Sequence, residues 1–215
     1  MKKLLTEFIG TFFLVFTIGG AVASGSPLAP MAIGAVLMVM IFAGGHVSGA
    51  HYNPAVSLAV MIRGKMGAGE MVQYWIAQLL GGLLGAITSH VVTGNNASTT
   101  MGPAVYMSPS MPVLAELLGT FALAYVVLNV ATAKGNAGNS FYGLAIGFTV
   151  TSMAVAIGGI SGGAFNPAVG IGRVVADAIV GSGAPVTNAW IYIVGPLVGS
   201  TLAALVFRFI NPDDV

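Results

Sequence analysis

The sequence predicts an all-α membrane protein built as an inverted repeat, six transmembrane helices plus two re-entrant half-helices, on three observations. The 215 residues are 56% hydrophobic and 6% charged, too little polarity to cover a water-facing surface, which excludes a soluble fold. Residues 8–62, 71–115, 117–133, 135–172 and 178–207 hold no Asp, Glu, Lys or Arg, a pattern of long apolar tracts that excludes a disordered chain and a nucleic-acid-binding domain. The second half of the chain, finally, restates the first. Formal net charge is only +1 and points to no acidic partner. With no Cys in the chain, disulfides, thiol catalysis and Cys-based metal sites drop out.

A spanning helix needs about 20 apolar residues, and clusters of Gly, Pro and Asn divide the chain into six candidates, near 4–23, 29–45, 70–92, 112–133, 141–159 and 187–209. The first follows Met1-Lys2-Lys3 and imitates a signal peptide, but further apolar segments follow, so it reads as a retained span. Two shorter segments, about 53–62 and 166–177, are helical in pattern but only about half the length needed to cross. If the spans alternate, Lys2, Lys3, Arg63, Lys65, Lys134 and Arg208 fall on one side, expected to be cytoplasmic together with both termini. The other side receives the uncharged loop 93–111 and the segment carrying Arg173 and Asp177. Asn96-Ala97-Ser98 in that loop fits the glycosylation tripeptide, a pattern common by chance.

The repeat is explicit. Thr6-Glu7-Phe8-Ile9-Gly10-Thr11-Phe12 returns as Ala115-Glu116-Leu117-Leu118-Gly119-Thr120-Phe121, and Ser48-Gly49-Ala50-His51-Tyr52-Asn53-Pro54-Ala55-Val56 as Ser161-Gly162-Gly163-Ala164-Phe165-Asn166-Pro167-Ala168-Val169. Tyr74 and Gly81 correspond to Tyr192 and Gly199. The units are about 1–92 and 112–210, joined by the loop 93–111 within one domain, 1–215. Three spans per unit is odd, so the halves face opposite ways, the plan that places sites near the midplane at broken helices.

Each short segment opens on Asn-Pro-Ala. Asn is a strong N-cap and Pro suits the first helical position, so each tripeptide starts a half-helix inside the membrane. Irregular backbone is tolerated there only where protein buries it or it lines a watery cavity. The Gly- and Ser-rich stretches before the tripeptides therefore predict a pore. Two facing helix N-termini, each worth roughly half an elementary charge, repel cations and protons. The Asn53 and Asn166 amides are expected to donate into the lumen, small Ala55 and Ala168 to allow close approach, and carbonyls of about 45–51 and 158–164 to replace lost hydration.

The chain at this point resembles the aquaporin/glycerol-facilitator (major intrinsic protein) family over essentially its whole length. The resemblance rests on both Asn-Pro-Ala motifs (Asn53, Pro54, Ala55; Asn166, Pro167, Ala168), both Glu-x-x-Gly-Thr-Phe segments, and Gly45-His46-Val47-Ser48-Gly49-Ala50-His51. It implies an aquaporin-like fold, a passive channel without cofactor or enzymatic activity, and a homotetramer with one pore per subunit. It also implies a four-residue selectivity filter, which counting from the motifs places on Ile33, Ala154, Gly163 and Val169. The family's filter Arg is absent, Val169 standing in its place, and Gly170 replaces the Asp that glycerol facilitators carry next. A wider, more apolar constriction follows, suited to water and small uncharged solutes such as glycerol, urea, ammonia and hydrogen peroxide.

Arg173 follows Val169 by four residues, on nearly the same helix face. It either restores a positive charge at the outer vestibule or pairs with Asp177 or headgroups. Glu7 and Glu116 are read as carboxylates that support the non-helical loops; set across the membrane from each other, they are too far apart for paired acid–base catalysis. His46 and His51 flank the first loop and are structural or pore-gating residues, with too few ligands nearby for a metal. His90 stands alone. Glycine pairs 81/85, 195/199 and 45/49 predict close helix contacts. Two rival functions remain, an ammonia or gas channel with little water flux and a coupled secondary transporter. The latter lacks an ionisable pair at the midplane to carry its coupling ion.

Overall fold

A computed structural model describes residues 1–94, 108–181 and 186–214, so Asn96-Ala97-Ser98 and most of the loop 93–111 lie outside the described residues. The long apolar tracts form α1 (Lys2–Ala23), α2 (Ala29–Ser48), α4 (Ala68–Val92), α5 (Ser110–Val127), α6 (Tyr142–Ser161) and α8 (Ile191–Ile210). Each is long and apolar enough, with its adjoining helical turn where there is one, to cross a membrane. The two short helices are α3 (Pro54–Ile62) and α7 (Pro167–Val180), and no strand occurs among the described residues. Large apolar side chains such as Ile76, Leu80, Leu114, Leu118 and Val155 are exposed on the outside, a face that only lipid or another apolar surface suits.

Packing follows the repeat. α1 lies along α4 as α5 lies along α8, and each half-helix packs on the third span of the other unit, α7 on α4 and α3 on α8. At the crossing of α2 and α6 the repeat mates Gly34 and Gly147 meet. A Cβ on Gly34 would overlap Thr151 Oγ1 and the Gly147 carbonyl, and one on Gly147 would overlap the Gly34 carbonyl. Only residues without side chains allow this approach, the closest form of small-residue packing. Gly81 and Gly85 likewise sit on the Phe8 and Phe12 carbonyls, and Gly195 and Gly199 on those of Val113 and Leu117. The pair 45/49 is different: a Cβ on Gly45 would meet Tyr142 only at ordinary contact distance, 3.6 Å from its hydroxyl, and Gly49 caps α2 in the left-handed region at φ 85°.

The helix ends differ from expectation where hydrogen bonding rather than composition sets them. α2 and α6 run on to Ser48 and Ser161, because the Gly49 and Gly162 N–H groups close the last turns on the Gly45 and Gly158 carbonyls. The irregular stretches are thus 49–53 and 162–166, shorter than the 45–51 and 158–164 expected, and the first carbonyls of those ranges belong to helix. α7 passes Asp177 and stops at Gly181, whose N–H bonds the Asp177 carbonyl, so it runs 14 residues, to Val180, beyond the expected end near 177. α5 ends in a π-type turn, Leu128–Thr132, with Asn129 and Thr132 bonded back to the Tyr125 and Leu128 carbonyls. The sequence reading has no counterpart for that turn.

The basic residues expected on one side do gather at the end that carries the termini. Lys3 Nζ donates to Glu70 at 2.7 Å and Arg208 Nη1 reaches the Ile62 carbonyl at 3.5 Å. The Arg63 guanidinium lies 4.7 Å over the Phe207 ring and donates to Asp214 Oδ1 at 2.8 Å. Asp214 Oδ2 in turn accepts the Lys134 backbone N–H at 2.7 Å. The chain end thus clasps the α5–α6 loop to the foot of α3. The Lys134 N–H, with Arg63 beside it, holds the Asp214 carboxyl below the usual carboxylate range. A depressed value means that the clasp is present at neutral pH and is lost as pH falls through it. The protection factor of the Lys134 amide, its exchange relative to the unfolded rate at the same pH, is therefore expected to fall in Asp214→Ala at neutral pH, and in the wild type only in acid. Equal protection in the two proteins at neutral pH would disprove the clasp.

Candidate functional site

The two half-helix starts are built alike. Asn53 (φ −157°, ψ 120°) and Asn166 (φ −161°, ψ 113°) are extended, and each Oδ1 accepts the N–H two residues on, from Ala55 and Ala168, both at 2.9 Å. These are N-cap bonds in the usual sense, with Pro54 and Pro167 at the first helical positions. The other atom of each amide crosses between the repeats: Asn53 Nδ2 donates to the Phe165 carbonyl and Asn166 Nδ2 to the Tyr52 carbonyl, each at 2.9 Å. To the donation into the lumen expected of the amides this adds a bond across the repeats. One N–H of each is spent tying the half-helices together, which leaves one to face the cavity.

Turning the chain into each half-helix costs backbone strain. Ala50, Tyr52 and Phe165 have φ of 52°, 50° and 48°, a region that non-glycine residues occupy at roughly 1–3 kcal/mol each. Buried carboxylates hold the turns. Glu7 accepts from Ser48 Oγ (2.6 Å), the His51 N–H (3.0 Å), the Tyr52 N–H (2.7 Å) and Gln78 Nε2 (2.8 Å). Glu116 accepts from Ser161 Oγ (2.6 Å), the Ala164 N–H (2.9 Å) and the Phe165 N–H (2.6 Å). Tyr74 and Tyr192 then donate to the Ser48 and Ser161 carbonyls at 2.7 and 2.6 Å. Both carboxyl groups are fully buried, and converging donors replace the water they lose.

The two networks part at one place. Gln78 also bonds Ser57, whose hydroxyl meets His51 Nδ1 at 3.0 Å, whereas Pro196 stands at the matching place in α8. Gln78, Ser57 and Trp75, which bonds the Pro54 carbonyl, were missed in the sequence; a lone amide in an apolar helix carries no repeat signal when its mate is Pro.

Between the half-helices runs a cavity of about 730 Å³, far more than the roughly 10–15 Å³ that admits one water. Asn53 and Asn166 line it, and so do Ile33, Ala154, Gly163, Val169, Arg173, His46 and His51. Glu7, Glu116, Pro54, Ala55, Pro167 and Ala168 stand behind the wall. Ala168 packs its carbonyl closely against Gly82 of α4, and Ala55 and Ala168 are both fully buried. The carbonyls of Gly49, Ala50 and His51, and of Gly162, Gly163 and Ala164, accept hydrogen bonds from none of the described residues. Two rows of acceptors and two amide donors thus border the middle of this space, with Lys134 and Arg173 on its wall as well. Residues Lys134, Asn136, Ala137, Gly138 and Asn139 of the α5–α6 loop also line it, a contribution the sequence reading did not foresee.

The sequence model of the family described as "Major intrinsic protein" matches residues 1–207. The chain belongs to the major intrinsic protein family. It is 35% identical to "Glycerol uptake facilitator protein-like 6" of Lactiplantibacillus plantarum, covering all of both chains. It is 34% identical to "Aquaporin AqpM" of Methanothermobacter marburgensis, over 99% of this chain and 98% of that one. The fold matches that of the aquaglyceroporin from Plasmodium falciparum with a TM-score of 0.87 at 24% identity, over 98% of this chain and 97% of that one. As a member of this family the chain is a multi-pass membrane channel for water or small neutral solutes, not an enzyme.

Replacing Glu7 or Glu116 by Ala strands two buried loop N–H groups, at about 1–3 kcal/mol each. Each substitution is expected to lower stability by roughly 4 kcal/mol, Glu7→Ala the more because Gln78 loses its bond to the carboxylate and keeps only the one to Ser57. Thermal unfolding in detergent measures this; midpoints within about two degrees of wild type would mean that the carboxylates do not hold the loops.

Proposed function

We propose that the protein is a passive pore for water and small uncharged solutes, among them glycerol, urea, ammonia and hydrogen peroxide. The observation that carries this reading is the pair of crossed amide bonds, Asn53 to Phe165 and Asn166 to Tyr52, on the wall of a cavity flanked by free carbonyls. The N-termini of α3 and α7 supply partial positive charge, roughly half an elementary charge each. The remaining amide N–H of Asn53 and of Asn166 donates to a passing oxygen. A water held by both turns its hydrogens away along the pore, towards the carbonyl rows, and the proton-conducting chain is broken there. Cations are turned back by the same field.

Ile33, Ala154, Gly163 and Val169 set the width of the constriction. Val169 offers no charge and no donor, and Ala154 and Gly163 add little bulk, which supports passage of solutes larger than water. Both termini face the cytoplasm, as the gathering of Lys3, Arg63, Lys134 and Arg208 at one end supports. The exposed apolar side chains on α4, α5 and α6 serve lipid and neighbouring subunits of a homotetramer, each subunit with its own pore through the single domain 1–215. His51, held by Ser57 and set edge-on to Tyr74 at 5.3 Å, acts in the structure of the loop.

Stopped-flow light scattering on proteoliposomes tests the reading. Water flow well above empty vesicles, followed by re-swelling in glycerol and urea gradients, is expected, with the re-swelling lost in Val169→Arg. Water flow with no re-swelling in wild type would make the pore water-selective, and methylammonium transport without osmotic flow would favour an ammonia or gas channel. Because the chain has no Cys, mercurials are expected to leave the water flow of the purified protein intact; strong inhibition would contradict a pore built as described.

A further inference from the structure

The cavity wall carries two charged side chains among the described residues, both positive: Lys134 near the end that bears the termini, and Arg173 towards the other. No carboxylate lines it. Arg173 lies seven residues beyond Asn166, about 10 Å along the helix axis, and one turn beyond Val169 on the same face. It is not at a helix end, since α7 continues to Val180, and it is only 3% exposed. An arginine that merely reached for headgroups would keep its guanidinium in water. Its Nε is buried without a hydrogen-bond partner, a costly state for a charged donor unless something else arrives to accept. Asp177, one turn further, is an electrostatic neighbour and is itself engaged. The ion pairs among the described residues are Lys3–Glu70, Arg63–Asp214 and Lys134–Asp214.

We infer that Arg173 is the fixed cation and hydrogen-bond donor of the pore's mouth on the side away from the termini, selecting small neutral solutes that carry an oxygen acceptor and barring cations. The inference rests on the channel reading above. A guanidinium lining an apolar wall offers N–H donors to the carbonyl of urea, a hydroxyl of glycerol or a water oxygen. A cation meets an unscreened like charge where the dielectric is low. The role that Val169 cannot fill thus passes one helical turn along the same wall, so charge selection and width selection sit on different residues.

The test compares wild type, Arg173→Gln, Arg173→Lys and the double variant Arg173→Gln/Val169→Arg in proteoliposomes, recording osmotic water flow and sodium leak on the same vesicles. Arg173→Gln is expected to raise the ratio of sodium to water permeability by at least about tenfold. Arg173→Lys should stay near the wild-type ratio, and the double variant should return to it, which a merely structural role would not produce. A ratio unchanged in Arg173→Gln, or Arg173→Lys as leaky as Arg173→Gln, overturns the inference while wild-type water flow leaves the channel reading standing. Wild-type vesicles with no water flow above empty ones would overturn both. Should Arg173→Gln fail to assemble, Arg173→Cys in this cysteine-free chain can be modified after reconstitution with a positively charged thiosulfonate reagent. A fall in the sodium ratio with that reagent and none with a negatively charged one supports the inference, and equal effects of the two overturn it.

Discussion

Everything in this structure depends on keeping unwound backbone satisfied where no bulk water reaches it. Two stretches of chain, 49–53 and 162–166, leave helical geometry inside the bundle, and their N–H groups would each cost several kcal/mol if left bare in hydrocarbon. Glu7 and Glu116 meet that demand from neighbouring spans. The consequence is a division of the backbone. N–H groups of His51, Tyr52, Ala164 and Phe165 turn to the carboxylates, the carbonyls of Tyr52 and Phe165 are taken by the opposite Asn, and those of 49–51 and 162–164 are left as acceptors beside the cavity. The rows of free carbonyls beside the cavity are thus a by-product of how the loops are held by the buried Glu7 and Glu116.

The second constraint is reciprocity. Each half-helix is capped by its own Asn and fastened by that Asn to the carbonyl just before the other Asn. Neither start can shift without straining both, so two positive helix ends that would repel are locked face to face. Asn serves here where Asp would not, since a carboxylate caps a helix but has no N–H to donate across. Left-handed Tyr52 and Phe165 aim their carbonyls back at the partner amide, which gives the strain at those residues a use.

Much of this was legible in the sequence because it is carried by repeated, local patterns. The tripeptides, the Glu-x-x-Gly-Thr-Phe segments and the tyrosines 74 and 192 recur at matching places, and the apolar tracts gave six spans. What escaped is what has no repeat mate or no local pattern. Gln78 faces Pro196 across the pseudo-symmetry, so the alignment of halves is silent about it. The Asp214 clasp joins residues 80 and 151 positions apart, and no periodicity reports such a pair. Helix ends were misplaced where a capping N–H, at Gly49, Gly162 and Gly181, rather than a polar side chain decides them. The use of one amide N–H of each Asn across the repeat, and the fate of Arg173, needed geometry.

The central claim is that crossed asparagine amides pass water while breaking its proton wire. The most direct measurement records water flow and proton flux on the same proteoliposomes, by light scattering and an enclosed pH-sensitive dye. The account predicts osmotic water flow far above that of empty vesicles with proton flux at their level. Proton flux that rises in step with water flow as more protein is reconstituted would contradict it.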